Sequence, residues 1–430
     1  MTAGPPLFLG IDFGTSGCRA RVIGPAGETA ARSAVPLPPP VQPAPGWSEQ
    51  DPNLWWAALT AVVAGLPGDA RARVAAVAVD GTSGTLLLAD ERGRPTGPAL
   101  LYDDARACDQ AQALARVAPP DSAVNSPSSS LAKALWLLVR PHRGTRHLLH
   151  QADWVLGRLT GRYGTSDENN ALKLGYDPVA RCWPAWLGAA GVPAGLLPIV
   201  SPAGKPVGPI IPAIAAELGL PPGTLVVAGT TDSTAGAIAA GVAAPGDGVT
   251  TLGSTLVVKV LSERPVLAAR YGVYSHRLGD VWLVGGASNS GGAVLRQFFA
   301  DDELAALSAG IDPARPSPLD YYPLPRPGER FPLADPALPP RLEPRPAEPA
   351  AFLHGLLEGI ARIETLGYRR LAELGAPFPT RVLTTGGGAG NSAWTAIRAR
   401  QLGVPVSAVA DRDAAYGAAL LARQGAGRLS

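Results

Sequence analysis

The sequence predicts an α/β protein built from two similar domains, and two observations carry this prediction. Strand-like apolar segments alternate with amphipathic helical segments along the chain. One pattern, a strand, a turn of glycine and hydroxyl residues and a second strand, occurs twice, as LGIDFGTSGCRARVIG from Leu9 and as DGVTTLGSTLVVKV from Asp247. Each copy is followed later by a strand that ends in a Gly-rich turn, which indicates a weak internal duplication. We therefore predict one domain over residues 1–244 and a second over residues 245–430.

The composition is that of a globular protein with a substantial core. The chain has 430 residues, of which 46% are hydrophobic, enough for two ordinary domains or one very large one. A net charge of +2 gives no reason to invoke nucleic acid or an anionic membrane as a partner. The three cysteines are widely separated, form no metal-binding spacing and fit a reducing compartment. No apolar run approaches the roughly 18 residues of a membrane span, and a first strand near Leu7 leaves no room for a signal peptide. We expect a cytoplasmic protein, and the sequence does not show its oligomeric state.

The elements of the first predicted domain follow in order. PLFLGIDF and CRARVIG are predicted to form a hairpin, because a Gly-rich turn separates the two strand-like segments. After a Pro-rich loop, NLWWAALTAVVAGL has the period of an amphipathic helix. RVAAVAVDGTSGTLLLAD indicates a strand, a turn and a strand, and SLAKALWLLV and HLLHQADWVLGRLTG indicate helices ahead of the polar segment TSDENNALKLGYD.

The second predicted domain begins with the repeated hairpin. FLHGLLEGIARIETLGYRRLAELG has the spacing of a long amphipathic helix. RVLTTGGGAGNSAWTAIRARQLG then indicates a strand, a Gly-rich turn and a helix, and its first half parallels AVAVDGTSG in the first domain.

The turns of glycine and small hydroxyl residues indicate phosphate binding. Such turns offer backbone N–H groups that no bulky side chain blocks, together with hydroxyl donors. Four of them follow predicted strands: Gly14–Gly17, Gly81–Thr85, Gly253–Thr255 and Gly386–Asn391. The last opens a helix, whose N-terminus can also face a nucleotide.

Several other families are excluded by their missing motifs. SPAGKP lacks the upstream glycine and the hydroxyl residue of a P-loop, and GGGAGN does not match the dinucleotide-binding pattern. Ser83 lies in GTSGT, which is not the nucleophile motif of α/β-hydrolases. The five histidines form no zinc-peptidase motif.

Four motifs in fixed order make the pattern specific. They are DFGTS near the start, GTTDSTAG at mid-chain, TLGST shortly after it and TGGGAGN near the end. This combination resembles the FGGY carbohydrate kinases of the sugar kinase/actin/Hsp70 superfamily, over nearly the whole chain, and looks most like their short D-ribulose kinase and xylulokinase-like branch. The resemblance implies two RNase H-like (actin-like ATPase) domains with ATP and Mg²⁺ in the cleft between them.

The resemblance also implies roles for two aspartates. Asp232 matches the catalytic base, which orients and deprotonates the attacking hydroxyl; an N-cap before a small-residue helix is the alternative explanation for it. Asp12 matches an aspartate that holds Mg²⁺ through water and touches the sugar; a turn-forming carboxylate is the alternative. Asp12 and Asp232 are the two predicted metal contacts.

The remaining predicted contacts divide between the two substrates. The sugar contacts are Asp12, Ser16, Gly17, Ser83, Asn170 and Asp232. The nucleotide contacts are Gly14, Thr15, Ser16, Gly253, Ser254, Thr255, Gly387, Gly388, Asn391 and Trp394. The hydroxyl residues could instead be simple turn formers, Asn391 an N-cap, Trp394 a core residue and Asn170 a loop cap.

The predicted activity is an ATP-dependent sugar kinase that phosphorylates the primary hydroxyl of a ketopentose. The segment DGTSGT carries neither the Gln-Met-His-Gly of xylulokinases nor the Gln-Arg-Glu type of signature of glycerol kinases. This departure favours D-ribulose, giving D-ribulose 5-phosphate, over D-xylulose or another polyol. Two functions of other classes stay open: an ATPase switch of the actin or Hsp70 type, and a non-catalytic sugar-binding protein.

Overall fold

The computed structural model describes residues 4–140, 144–409 and 412–427. Its strands are β1 (Leu7–Gly14), β2 (Gly17–Ile23), β3 (Thr29–Pro36), β4 (Glu49–Gln50), β5 (Val74–Gly81), β6 (Leu86–Ala89), β7 (Ala99–Leu100), β8 (His147–His150), β9 (Thr165–Asp167), β10 (Ile199–Ser201), β11 (Pro206–Pro209), β12 (Leu225–Val227), β13 (Thr230–Thr231), β14 (Asp247–Leu252), β15 (Leu256–Ser262), β16 (Tyr274–Leu278), β17 (Val281–Ser288), β18 (Arg381–Thr385) and β19 (Val406–Ala408).

Short and long helices alternate with these strands. The α-helices are α1 (Pro52–Ala64), α2 (Gly68–Arg71), α3 (Cys108–Leu114), α4 (Ser130–Leu138), α5 (Gln151–Thr160), α6 (Glu168–Ala171), α7 (Trp186–Ala189), α8 (Pro212–Leu218), α9 (Asp232–Ala240), α10 (Gly292–Leu295), α11 (Asp301–Ala309), α12 (Pro349–Glu373), α13 (Ser392–Leu402) and α14 (Ala414–Gly427). Turns of 3₁₀ helix cover Leu172–Leu174, Ala194–Leu196, Ala269–Tyr271 and Gly387–Gly390.

The chain divides into two units. Unit 1 comprises Met1–Ala239 and Arg412–Ser430, and unit 2 comprises Ala240–Asp411. The boundary that the sequence predicts after residue 244 lies close to the point where the chain passes from unit 1 to unit 2, between Ala239 and Ala240. The predicted second domain also included α14, which the structure assigns to unit 1, because its apolar face packs on strands of that unit.

The main sheet of unit 1 has the strand order β11-β12-β5-β1-β2-β3, and β13 also pairs with β5. The predicted hairpin of β1 and β2 is present and antiparallel, whereas β1 and β13 both run parallel to β5. Parallel neighbours end at the same edge of a sheet. The loops after β1, β5 and β13 therefore lie next to one another.

Side-chain alternation along β1 and β5 separates the two faces of this sheet. Leu9 and Ile11 belong to a core with helices α1, α5 and α8, whereas Phe8 packs with α14 on the opposite face. Helix α14 approaches closely, because a Cβ at Gly10 would lie 1.9 Å from the carbonyl oxygen of Ala415. Only glycine permits this contact at that point of β1.

A smaller sheet of unit 1, in the order β4-β7-β6-β8, packs against α4. The sequence predicted one helix over HLLHQADWVLGRLTG, but its first four residues form β8, antiparallel to β6. The helix starts at Gln151 because the Asp153 carboxylate accepts a hydrogen bond from the backbone N–H of His150, at 3.1 Å, which caps this end.

Unit 2 has its own sheet, in the order β16-β17-β15-β14-β18-β19, with the long predicted helix α12 against it. Strands β14 and β15 form the predicted second hairpin, and β14 runs parallel to β18. The Gly-rich turns after β14 and β18 therefore also lie side by side.

A buried ion pair connects the helices of unit 2 to these two strands. Arg398 on α13 donates from Nε and Nη2 to both carboxylate oxygens of Glu364 on α12, at 2.6 and 2.7 Å. Its Nη1 donates to Thr384 of β18 at 2.8 Å, and Thr250 of β14 donates to Glu364 at 2.5 Å. All four polar groups are buried, so the pair connects two helices and two strands within the core of unit 2.

Within the described part of the chain, no helix is both long and apolar enough to cross a bilayer. The two-domain α/β architecture that the sequence predicts is confirmed.

Candidate active site

Three carboxylates converge at one edge of the unit 1 sheet. Asp12 of β1 lies opposite Asp80 of β5, and Thr230 of β13 lies opposite Asp80 on its other side. Asp232 follows directly after β13 and begins helix α9. The charges of Asp12 and Asp232 both raise the pKa of Asp80, as expected of neighbouring carboxylates.

Asp12 has a cationic partner, which the sequence did not indicate. Arg19 of β2 donates from Nη1 to Asp12 Oδ2 at 3.1 Å, and the two residues are opposite each other in the hairpin. Burial raises the pKa of the Asp12 carboxyl above its ordinary value of 3.8, although a hydrogen bond with Asp80 and the charge of Arg19 oppose the shift. The pKa of Asp80 is raised more strongly, so Asp12 is the member of the pair that ionises first as the pH rises.

Asp80 itself is fully buried, and its pKa lies well above the ordinary value of 3.8 because of burial first and the charge of Asp12 second. Neither carboxylate oxygen accepts a hydrogen bond from an N–H or hydroxyl group of the described residues. A protonated Asp80 that donates to Asp12 accounts for both observations. Sequence reasoning missed this residue, although AVAVDG carries an aspartate near a strand end as LGIDFG does.

Asp232 is half-buried at the first turn of α9. Its Oδ1 accepts a hydrogen bond from the backbone N–H of Ser233 at 2.6 Å. This bond reaches only the next residue, whereas an N-cap side chain accepts from the second or third N–H of the helix, so it does not support the capping explanation. The half-buried side chain keeps a solvent-accessible surface on which a substrate hydroxyl could act.

The tip of the first hairpin is open. Gly14 and Gly17 form the last pair of β1 and β2, which leaves Thr15 and Ser16 exposed between them. The carbonyl oxygen of Ser16 accepts a hydrogen bond from Leu37 at 3.0 Å. Both side chains of this turn are exposed to solvent, and their binding of phosphate stays a prediction.

The turn between β5 and β6 presents Ser83 from a fixed backbone. Gln151 accepts hydrogen bonds from the N–H and the hydroxyl of Thr82, both at 3.0 Å, and the Thr82 hydroxyl also bonds that of Thr85 at 2.6 Å. The buried hydroxyl of Ser83 has no hydrogen-bond partner among the described residues. Of the hydroxyl groups in this turn, that of Ser83 is the one without a hydrogen-bond partner among the described residues, and its contact with a sugar stays a prediction.

Asn170, a predicted sugar contact, is buried at the start of α6. Its amide donates to Asp167 Oδ2 at 2.6 Å, and its backbone N–H donates to Asp167 Oδ1 at 3.1 Å. Its neighbour Asn169 donates to Thr230 at 3.0 Å and so connects α6 to the strand that leads to Asp232. Burial first and the charge of Asp153 second raise the pKa of Asp167 to about 7.

In unit 2, the turn Gly253–Thr255 is held by the segment that leads into α10. The carbonyl oxygens of Gly253 and Ser254 accept from the N–H groups of residues 292 and 293, at 2.9 and 3.0 Å. Arg296 donates from Nη2 to the Ser254 hydroxyl at 2.8 Å. This exposed arginine adds a positive charge to the turn, and sequence reasoning missed it.

The second Gly-rich turn of unit 2 packs on the first. Gly386 has φ +86°, and a Cβ there would lie 2.6 Å from the carbonyl oxygen of Leu252. A Cβ at Gly388 would lie 2.8 Å from both Leu252 and the ring of Trp394, whereas Gly387 faces open space. The turn forms a 3₁₀ helix before α13 begins.

Asn391 and Trp394 have structural contacts of their own. Asn391 caps α13, because its Oδ1 accepts from the N–H of Trp394 at 2.9 Å, and its amide donates to Ser308 at 2.8 Å. Trp394 is buried in the core, but its indole N–H has no partner among the described residues. Both side chains also line the cavity described next.

A cavity of about 590 Å³ lies in unit 2, within the range of ligand pockets. One wall of the cavity is formed by the turn of Gly253 and Ser254 together with Arg296. A second wall is formed by Ser308, Asn391 and Trp394. Arg296 and Asp301 are its charged lining residues. The arrangement offers a basic wall for phosphates and an amide- and indole-lined wall for a base.

The predicted Mg²⁺ contacts fit the way this ion binds with nucleotides. The described residues hold no group of three or more His, Cys, Asp or Glu side chains arranged as a metal site. Mg²⁺ that accompanies phosphates needs only one or two carboxylates, because it keeps several waters. Asp12 and Asp232 both lie near Asp80, since the charge of each raises its pKa, and their binding of Mg²⁺ stays a prediction.

Comparison with known proteins agrees with this geometry. The N-terminal domain of the FGGY family of carbohydrate kinases matches residues 7–239, and the C-terminal domain of the same family matches residues 248–425. The xylulose kinase of Klebsiella pneumoniae is 28% identical over 60% of this chain and 55% of its own length, so this chain spans little more than half of that relative.

Other relatives extend over most of the chain. The xylulose kinase of Bacillus subtilis is 27% identical over 97% of this chain and 88% of its own length. The crystal structure of xylulose kinase from Rhodospirillum rubrum superimposes with a TM-score of 0.86 at 25% identity, over 98% of this chain and 92% of that one. The predicted actin-like ATPase fold of the two domains is thereby confirmed.

Proposed function

This chain belongs to the FGGY family of carbohydrate kinases, and from that premise we propose that it transfers the γ-phosphoryl group of ATP to the primary hydroxyl of a ketopentose. The observation that carries the proposal is the convergence of Asp12, Asp80 and Asp232 at one edge of the unit 1 sheet. Phosphoryl transfer needs a positioned carboxylate for the attacking hydroxyl and donors for the phosphates.

The reaction assigns a different task to each aspartate. Asp232 accepts the proton of the sugar hydroxyl. At the same time the hydroxyl oxygen of the sugar bonds to the γ-phosphorus, and the bond between the γ-phosphorus and the leaving oxygen of ADP breaks. Asp12, held by Arg19, stays ionised beside a neutral Asp80. Asp12 and Asp232 would hold Mg²⁺, which neutralises phosphate charge when bound.

The sugar and the nucleotide have separate sets of contacts. In unit 1, Ser16, Gly17, Ser83 and Asn170 are the proposed sugar contacts beside the aspartates, with Ser83 favoured by its unpartnered hydroxyl. In unit 2, the turn of Gly253, Ser254 and Thr255 takes the phosphates, and the wall with Gly387, Gly388, Asn391 and Trp394 takes adenosine. Gly14 and Thr15 complete the proposed phosphate contacts.

D-Ribulose is the substrate that we favour, and D-xylulose is the second candidate. The small turn around Ser83 leaves space for a polyol chain and offers it a hydroxyl, without a histidine or glutamine at its tip. D-Xylulose is favoured by the relatives, several of which are xylulose kinases.

A coupled assay of ADP release tests the proposal. The enzyme with Mg–ATP is given D-ribulose, D-xylulose, L-ribulose, glycerol or no acceptor, and the Asp232→Asn variant serves as the matched control. We expect the highest kcat/KM with D-ribulose and little ADP release from the variant. A higher kcat/KM with D-xylulose would select the second candidate, and no acceptor-dependent ADP release with any compound would reject kinase activity on this panel.

A further inference from the structure

Lys133 is a fully buried lysine in unit 1, and no role proposed above uses it. It lies on α4 with a relative exposure of 0% and is among the largest completely buried side chains of the chain. Burial of an ammonium group is costly unless hydrogen bonds compensate it. The hydrogen bonds of the Lys133 ammonium must therefore offset the cost of its burial.

Both contacts of the Lys133 ammonium are backbone carbonyls. Nζ donates to the carbonyl oxygen of Gly84 at 2.8 Å and to that of Leu101 at 2.6 Å. Gly84 lies in the turn that presents Ser83, and its φ of +91° is one that glycine adopts readily. Leu101 directly follows β7, so the lysine joins the turn to the adjacent small sheet.

A second buried side chain holds the same turn from the other end. Gln151, the first residue of α5, accepts from the N–H and hydroxyl of Thr82, both at 3.0 Å. Ser83 is thus flanked by one residue fixed through its N–H and another fixed through its carbonyl oxygen. Its own hydroxyl has no partner among the described residues.

The charge state of Lys133 does not remove this anchor. Burial first, and the charge of Lys173 second, lower the pKa of Lys133 to about 7, against the opposing charges of Asp103 and Asp104. A neutral amine still carries two N–H bonds, and the two carbonyl oxygens use both. The amine can therefore hold the turn whether or not it is protonated.

We propose that Lys133 is a positioning residue for the sugar: by holding the carbonyl of Gly84 against the end of β7, it fixes the backbone that aims the Ser83 hydroxyl at the substrate. The inference rests on the proposed function, because it assumes that Ser83 contacts the acceptor sugar. It adds a residue that does not touch the substrate but sets the affinity for it.

The test compares Lys133→Met, which keeps the length of the side chain and removes its donors, with Lys205→Met at an exposed lysine of the same unit. We expect the KM for the sugar to rise about tenfold in Lys133→Met, because two buried carbonyls lose their donor. The KM for ATP and the sugar-free rate of ADP release should change less than twofold in the same variant. Lys205→Met should leave all three quantities as in the wild type.

A double-mutant cycle with Ser83→Ala separates positioning from general damage. If Lys133 acts through Ser83, the Ser83→Ala change raises the sugar KM less in the Lys133→Met background than in the wild type. Gln151→Leu, which releases the other end of the turn, should show the same non-additivity. If Lys133→Met does not fold, the comparison is made with Lys133→Gln, whose amide is too short to reach both carbonyls.

Two outcomes distinguish failure of the inference from failure of the proposed function. An unchanged sugar KM in a folded Lys133 variant, or a sugar KM that rises together with the KM for ATP, overturns the positioning role while the kinase activity stands. Absence of sugar-dependent ADP release from the wild type rejects the function itself, and with it the substrate on which the inference depends.

Discussion

Replacing Arg398 by methionine should destabilise unit 2, because it leaves the buried carboxylate of Glu364 without its cationic partner. The variant keeps a long apolar side chain but removes both bonds to Glu364 and the bond to Thr384. The carboxylate of Glu364, which is 1% exposed, then keeps only one of the hydrogen bonds described above, the one that the Thr250 hydroxyl donates.

The size of the effect follows from that geometry. Removing one partner of a buried ion pair leaves an uncompensated charge and costs about 3–5 kcal/mol. Replacing both partners removes that charge, so Glu364→Leu/Arg398→Met should lie within about 2 kcal/mol of the wild type. The double variant is therefore expected to be more stable than the single one.

Hydrogen exchange read by mass spectrometry is the suitable assay, because a chain of two units need not unfold in one step. Peptides from β14 and β18 should exchange about 10²–10⁴-fold faster in Arg398→Met, which corresponds to the expected loss of stability. Arg369→Met, at an exposed arginine of α12, is the matched control. Wild-type protection in Arg398→Met, or a double variant that exchanges as fast as the single one, would refute the reasoning.

Three further predictions concern the site itself. Asp232→Asn should lower kcat by about 10²–10⁴-fold, since the base is lost; a near-normal kcat in a protein with wild-type circular dichroism would remove Asp232 from proton transfer. Asp80→Asn mimics the neutral acid. Because the folded-state pKa of Asp80 is raised, the wild type loses stability as the pH rises above 3.8, when the unfolded chain ionises first. The melting temperature of Asp80→Asn minus that of the wild type should therefore become larger as the pH rises from 4. If this difference becomes smaller as the pH rises, Asp80 is not neutral in the folded protein. Asn391→Ala removes the cap of α13, worth about 1 kcal/mol, and should raise the KM for ATP without changing that for the sugar; an unchanged KM for ATP would argue against adenosine binding at this wall.

The parts of the fold that could be predicted from sequence are those with a local signal. The hairpins at Gly14–Gly17 and Gly253–Thr255 are short, and their apolar strands and Gly-rich turns are contiguous in the chain. Helix α12 has a long, regular apolar period. By contrast, the segment that forms β8 merges with the following helix in sequence, and only its pairing with β6 reveals the strand.

Those candidate site residues that the sequence indicates also have a local signal. Asp12, Ser83 and Asp232 stand in recognisable motifs, but the partners that define their chemistry come from distant segments. Asp80 pairs with Asp12 through the parallel register of β1 and β5, and Gln151 reaches Thr82 across 69 positions. The motifs themselves do not show that these segments meet, because strand register and tertiary packing bring them together.

The packing of α14 on β1 has a consequence for biosynthesis. The strands that bear Asp12 and Asp80 are made early, but the helix that covers one of their faces is made only after all of unit 2. At typical rates of translation, the interval between the two parts of unit 1 is roughly 10–35 s. Phe8, Ala76 and Ala78 stay uncovered by α14 for that time, so the nascent chain carries an apolar surface that a chaperone could shield until α14 leaves the ribosome.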